Sequence, residues 1–502
     1  MTLVRPPLQL VPIRVAHGLE DYEANAHLAA ATAELRTEAA PVAARLSGRT
    51  VWLISSTATG GGVAEMLPPI VKLLRELGIS AQWIVIGSRE AGFFELTKRI
   101  HNLIHGTGDP RLGTPERELF ERVNRENAAA LGEFVSPGDI LIVHDPQPVP
   151  LAGLLRDVVP LRTIWRCHIG LDVENTATRA AWDFLAPYLD AYEHAVFSAP
   201  EYIPERLAGR ATVIPPGIDP LSPKNRELGL RETVEVLCNG GLIPPPSPTL
   251  HEPYPAQAQR VHADGRLGAA NTGESLGLLT RPIVTQISRW DRLKGFLPLM
   301  RAFAALKQSA ELDSQRDALH RRRLTLARLV LAGPAAGAVV DDPEASGVME
   351  ELRAAYVAMP SAVQRDIALV MLPMQSSEQN ALMVNALQRA STIVVQNSLR
   401  EGFGLTIAEA MWKRVPVLTN SRAWGPRQQV RDGLDGRLVR NPEDEGELQR
   451  VLNEMLADTQ GRQRWGRSAQ RHVYDRFLMT AQLRSWARLI GTALLDRSAP
   501  IS

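Results

Sequence analysis

The sequence predicts an α/β protein made of two doubly wound parallel-sheet domains. Short β-branched runs alternate with longer helical patterns, the alternation starts over after residue 280, and a proline-rich stretch separates the two series. At about 150 residues per domain, 502 residues suit two or three such units.

In the first series Val51–Ser55 reads as a buried strand, followed by a glycine turn. A helical period then runs through Val63, Leu67, Ile70, Val71 and Leu74 to a stop at Gly78. Gln82–Ile86, Asp139–Val143, Thr163–Cys167 and the shorter Ala211–Ile214 read as further strands. In the second series the strands are Pro282–Ile287, Leu329–Ala332, Ile367–Met371, Ile393–Val395 and Val415–Leu418. Helices between strands imply parallel pairing through right-handed crossovers. The expected divisions are a helical leader (1–45), an N-terminal domain (46–239), a proline-rich linker or insertion (240–280), a C-terminal domain (281–470) and a terminal helix (471–502). Six prolines between Pro244 and Pro255 mark the linker.

Composition narrows the function classes. With 56 basic and 55 acidic residues the net charge is +1, which argues against a general nucleic-acid binder, although a local basic pocket disappears in such a sum. Two cysteines, Cys167 and Cys238, exclude a disulfide framework and a cysteine zinc site, and fit a reducing compartment. Met1–Ala16 lacks the continuous apolar core of a signal peptide, and no stretch approaches the roughly 20 apolar residues of a membrane span. A soluble, cytoplasmic protein is expected.

Four constellations could carry chemistry. Gly60, Gly61 and Gly62 follow a strand and open a helix, so their N–H groups suit an anionic or hydroxylated ligand; the plainer reading is a tight turn. Arg289 and Lys294 sit on a strand-to-helix loop, where a guanidinium and an ammonium could clamp a diphosphate or simply be solvated. Glu401, Gly402, Phe403, Gly404, Leu405 and Thr406 precede or open the helix that carries Glu409. The two glutamates read either as ligand-binding groups or as a cap and a solvated helix residue, and are too displaced to be assumed an acid–base pair. His144-Asp145-Pro146-Gln147 and Trp165-Arg166-Cys167-His168 end two strands; neither HExxH nor a carboxylate cluster accompanies them, so hydrogen bonding is favoured over a metal site.

Taken together, these residues resemble the family-4 retaining glycosyltransferases. Glu401 and Glu409, with seven residues between them around Gly-Phe-Gly, are similar to that family's paired-glutamate signature, and Arg289 with Lys294 to its phosphate-binding pair. The resemblance covers about residues 45–235 and 280–490. Within the family the chain looks closest to the trehalose synthase and trehalose phosphorylase branch. That likeness rests on Ser56–Glu65, Phe93–Lys98 with His101-Asn102, His144–Pro148, Trp165–His168, Ile218–Ser222 with Lys224-Asn225, Asp341–Glu344, Asn385–Ala390 and Ser398–Lys413.

The resemblance implies two facing Rossmann-like domains of the GT-B type, with the C-terminal helix crossing back onto the first. It implies transfer of an α-glucosyl group from a nucleotide-diphosphate glucose to glucose, giving α,α-trehalose. Alternatives are phosphorolysis of trehalose, another small acceptor, or an inert sugar- or nucleotide-binding protein. The intact set Arg289, Lys294, Glu401 and Glu409 counts against the last.

In the implied roles Arg289 and Lys294 neutralise the leaving phosphate, Glu409 binds the ribose, and Glu401 with Gly402–Gly404 holds the transferred glucose. Leu405 and Thr406 belong to the same donor-binding turn. Gly60–Gly62, Asp145 and Gln147 face phosphate or acceptor, and His168 contacts the reacting sugar. The nucleotide sugar is a co-substrate; no cofactor and no obligatory metal are expected, nor any nucleic-acid or membrane partner, and a homodimer is left open. Two departures bear on the acceptor. Where the branch has His-Ile-Asp, this chain reads His168-Ile169-Gly170-Leu171-Asp172, so that either Asp172 would supply the acid from a shifted position or sugar selection would differ; and Ser421–Gln428 replaces a glycine-rich turn.

Overall fold

Seven strands of the first half form one sheet in the computed structural model, which describes residues 7–58, 62–245, 252–312, 317–335 and 345–491. They are β1 (Leu8–Leu10), β2 (Val51–Ser55), β3 (Ala81–Ile86), β4 (Ile140–His144), β5 (Arg162–Cys167), β6 (His194–Phe197) and β7 (Ala211–Val213). Their order is β1-β3-β2-β4-β5-β6-β7, parallel except for β1, which runs antiparallel to β3. The strand order reverses between β2 and β4, and ligands of open α/β sheets gather outside the carboxyl ends at such a switch point. β2 and β4 are buried throughout, as expected for strands covered by helices on both faces.

The second half repeats the plan. Its strands are β8 (Gln259–Val261), β9 (Leu267–Ala269), β10 (Ile283–Ile287), β11 (Arg328–Pro334), β12 (Ile367–Leu372), β13 (Ile393–Val395), β14 (Val417–Asn420) and β15 (Gly436–Val439). The order is β15-β14-β13-β10-β11-β12-β8-β9, with the switch point between β10 and β13. Alternation along a strand builds two cores: Leu329 and Leu331 of β11 enter one, Val330 and Ala332 the other.

The chain divides into two compact units, Met1–Asp219 with Arg476–Ser502, and Pro220–Asp475. This corrects the expectation that 240–280 is the junction and that the first domain extends to 239. The helix Leu230–Asn239 packs on the helix Ser377–Ala390 of the second unit, and β8 pairs antiparallel with β12. The described prolines Pro244, Pro245, Pro253 and Pro255 precede the added edge hairpin of β8 and β9; residues 246–251 lie outside the described residues. The leader is also not wholly helical, since β1 precedes the helix Ala29–Arg45. A three-residue edge strand is too short to show a period.

At the other end the chain returns to the first unit. Ile218 N–H donates to the Phe477 carbonyl at 2.8 Å and Met479 N–H to the Ile218 carbonyl at 2.9 Å. The helix Met479–Leu489 then lies on Ala29–Arg45, where Glu38 accepts from Arg484 at 2.8 Å and Arg488 at 2.6 Å. No helix among the described residues is long and apolar enough to cross a membrane.

Candidate active site

In the second unit the site begins where β10 ends. A short 3-10 turn, Arg292–Lys294, is capped by Asp291, whose Oδ1 accepts from Leu293 N–H at 2.8 Å. It stops at Gly295, which has φ 61° and would drive a Cβ into the Asn397 carbonyl, so only glycine fits. Gln286 ties this turn to the end of β13: its Nε2 donates to the Lys294 carbonyl at 2.7 Å and its Oε1 accepts from Asn397 N–H at 3.0 Å.

Lys294 is thereby aimed at Glu401. Its Nζ donates to Glu401 Oε2 at 2.5 Å, and the same oxygen accepts from Ser398 Oγ at 3.1 Å and Gln396 Nε2 at 3.4 Å. Burial pushes the Glu401 carboxyl up, but the Lys294 charge and hydrogen bond, Ser398 and the Arg289 charge together hold it below its usual range. Arg289 itself is exposed and makes no ion pair among the described residues. The geometry therefore leaves one committed cation and one uncommitted one beside a buried carboxylate.

Gly402, Phe403 and Gly404 lead from Glu401 into the helix Leu405–Trp412, with Gly404 as its left-handed cap at φ 81°. Gln429 Nε2 braces the turn by donating to the Phe403 carbonyl at 2.5 Å and the Gly404 carbonyl at 3.2 Å. Leu405 and Thr406 form the open first turn of that helix, whose N–H groups lack acceptors within the helix.

Glu409 is buried one turn further on, with other partners than Glu401 has. Lys224 Nζ stands 3.8 Å from its Oε1, while Lys413 Nζ donates to its backbone carbonyl at 3.0 Å and to Asn225 Oδ1 at 3.1 Å. Burial pulls the Lys413 ammonium down to about 7 against the opposing pull of Glu409. The two glutamates are thus separately wired.

In the first unit the carboxyl ends of β4 and β5 hold a second group. His144 Nδ1 and His168 Nε2 are 3.0 Å apart, with the ring planes within 14° of each other and the rings edge to edge, centroids 5.3 Å apart. Asp145 adopts φ 63°, unusual for a side-chain-bearing residue, and its Oδ1 accepts from His168 N–H at 2.9 Å. Burial pushes its carboxyl up to about 6, against the His168 N–H and the Arg166 charge. Arg166 lies beneath, fully buried, with Ser198 Oγ at 3.4 Å. Gln147 is close by in sequence; its carbonyl accepts from Asn124 Nδ2 at 3.2 Å and its Oε1 is buried with no hydrogen bond among the described residues.

The remaining sequence candidates lie as follows. Gly62 opens the helix Gly62–Glu76; Gly60, Gly61 and the block Asp341–Glu344 lie outside the described residues. Asp172 sits exposed on the loop after β5. Gly170 is glycine for a packing reason: a Cβ there would overlap the buried Tyr202 side chain. The supporting groups Gln286, Gln396, Asn397 and Gln429 were not foreseen, and no local pattern marks them. Arg166 did carry a signal, a cation in the middle of a buried strand.

Two family models match the chain. One described as "Trehalose synthase, N-terminal domain" matches residues 53–204, and one described as "Glycosyl transferases group 1" matches residues 370–472. A trehalose synthase from Pyrococcus horikoshii is 32% identical over 453 residues, spanning 90% of this chain and 91% of that protein. A trehalose phosphorylase from Grifola frondosa is 25% identical over 88% of this chain but spans 56% of its own length. In three dimensions the chain is similar to an α,α-trehalose-phosphate synthase (UDP-forming) from Burkholderia xenovorans, solved with glucose-6-phosphate. The TM-score is 0.60 at 17% identity, covering 88% of this chain and 100% of that one, which is a likeness of fold.

Proposed function

Because the chain belongs to the trehalose synthase branch of the GT-B glycosyltransferases, we propose that it is a retaining glucosyltransferase forming α,α-trehalose from a nucleotide-diphosphate glucose and glucose. The observation that carries this reading is the Lys294–Glu401 pair at 2.5 Å, with Arg289 beside it and the first turn of Leu405–Trp412 next in the chain. A glycosyl transition state is oxocarbenium-like, with negative charge growing on the departing phosphate. Arg289 and Lys294 stabilise that charge, Leu405 and Thr406 offer N–H groups to phosphate or hydroxyl oxygens, and Glu401 with Gly402–Gly404 orients the glucose.

Glu409 binds the ribose in this reading, with Lys224 and Asn225 bracing it. His168, Asp145, Gln147 and Gly62 serve the sugar side, with Asp172 supplying an acid from the loop. The leaving phosphate deprotonates the acceptor on the front face, so no glycosidase-type carboxylate pair, cofactor or metal is needed. The separate wiring of Glu401 and Glu409 favours this over a paired acid and base. A cytoplasmic setting suits two buried, unbridged cysteines.

The phosphorylase reading uses the same cations, since inorganic phosphate would sit where the leaving phosphate does; the likeness to the Grifola frondosa protein favours keeping it as the second reading. Incubation with glucose and a panel of nucleotide-glucose donors, and of trehalose with and without inorganic phosphate, separates the two. Formation of trehalose from a nucleotide donor is expected. No disaccharide with any donor rejects the leading reading, and phosphate-dependent breakdown of trehalose establishes the second.

A further inference from the structure

The paired histidines carry an inference that rests on the proposed contact between His168 and the sugar. His144 ends β4 and pairs in register with Arg166 of β5, and His168 follows two residues later. Parallel pairing therefore sets the rings side by side, Nδ1 of one facing Nε2 of the other at 3.0 Å. One proton lies between these two nitrogens, and either ring could supply it.

The surroundings of His144 decide which. Its Nε2 is buried and has no hydrogen bond among the described residues. His144, His168 and the buried Arg166 all border a mainly apolar cavity, lined also by Leu53, Trp486 and Gln482. A proton on Nε2 would be a buried donor without an acceptor among the described residues, whereas a proton on Nδ1 has the His168 nitrogen to receive it. The proton of His144 therefore sits on Nδ1 and is donated to His168 Nε2. With Nε2 accepting, His168 carries its own proton on Nδ1, an atom that no hydrogen bond among the described residues uses.

We propose that His144 is a positioning residue that holds His168 as its Nδ1–H tautomer, so that His168 meets the bound sugar as a hydrogen-bond donor and not as a base. Other charged and titratable groups around the pair agree. Arg166 from β5 opposes a second proton on either ring; Asp145 Oδ1 is occupied by the His168 backbone N–H; and burial pushes the neighbouring Cys167 thiol up, so it stays neutral. Burial, then Arg166, lowers His144 to about 3, and burial, Arg166 and His144 lower His168 well below the usual range.

The test reads the tautomer directly. In protein labelled with 15N-histidine, with the His168 signals identified by their loss in His168→Gln, proton–nitrogen correlations at pH 7 should show the Nδ1–H form. An Nε2–H form or an imidazolium overturns the proposal. In kinetics, His144→Phe should lower kcat about tenfold, the worth of one hydrogen bond, with the KM for donor unchanged. His144→Asn, whose amide can donate from nearly the place of Nδ1, should restore most of the loss. Folded Phe and Asn variants with equal kcat overturn the positioning role; if the Phe variant does not fold, the spectrum and the Asn variant decide. The spectrum needs no turnover, so a wild-type protein that makes no disaccharide rejects the proposed reaction while the tautomer remains readable.

Discussion

Lys294 and Glu401 stand 107 residues apart in the chain and 2.5 Å apart in space, the ammonium donating to a carboxylate oxygen that Ser398 and Gln396 also bind. The pair joins the loop after β10 to the loop after β13, the two strands that flank the switch point of their sheet. Its residues are 13% and 16% exposed at the side chain, so it is shielded enough for its charges to matter.

With Lys294 at the departing phosphate, as proposed, Lys294→Ala should lower glucosyl transfer by about 100-fold or more. It should also destabilise the fold by about 2–3 kcal/mol through the carboxylate left unpaired. Urea unfolding and product assays on the same sample check both, and wild-type turnover in the folded variant would remove Lys294 from the phosphate site.

Glu401→Gln should cost stability at neutral pH but progressively less in acid. The folded Glu401 carboxyl titrates below its unfolded value, so its contribution is present above the unfolded value of about 4.3 and lost as pH falls through the lower folded one. Urea midpoints of wild type and variant that fail to converge below about pH 4 contradict this.

Asp145→Asn should stabilise the protein and impair transfer. A carboxyl pushed up to about 6 favours the fold when protonated and loses that advantage as pH rises through about 6. Asparagine keeps an Oδ1 acceptor for His168 N–H and tolerates the left-handed φ of 63°. The gain should reach at most about 3 kcal/mol above pH 7 and vanish near pH 4. Thermal unfolding across that range, with turnover measured alongside, is the check.

Gly170→Ala should destabilise the first unit by about 1–3 kcal/mol, since its Cβ overlaps Tyr202. Adding Tyr202→Ala should relieve the clash, so that the double variant loses less than the sum of the two single losses. Simple additivity in melting experiments would show that packing does not dictate the glycine.

Glu38→Gln should loosen the helix Met479–Leu489, because both Arg484 and Arg488 donate to one Glu38 oxygen. The expected loss is about 1 kcal/mol, and amide exchange should rise in that helix and in Ala29–Arg45 before the rest of the unit. Uniform exchange across the unit would contradict the local assignment.

Much of this was legible in the chain. Every strand foreseen from a β-branched run is present, because a strand buried on both faces writes itself as a short apolar stretch. The sequence reading leaves out β1, β6, β8, β9 and β15; each has three or four residues with at most one β-branched side chain, so no run stands out. The sequence also singled out Arg289, Lys294, Glu401, Glu409 and His168 as candidates, since they follow strand ends and glycine turns, where ligands of open α/β sheets gather.

By itself, then, the sequence determined two doubly wound halves and which charged residues end their strands, because periodicity and turn chemistry act over a few neighbouring residues. Only the tertiary structure decided that Lys294 binds Glu401 and not Glu409, that Lys224 stands at Glu409, that His144 backs His168, and that the unit boundary falls at Asp219. Those pairings join residues from 24 to 185 positions apart. They follow from strand order and burial, which bring distant strand ends together and leave no trace in local composition.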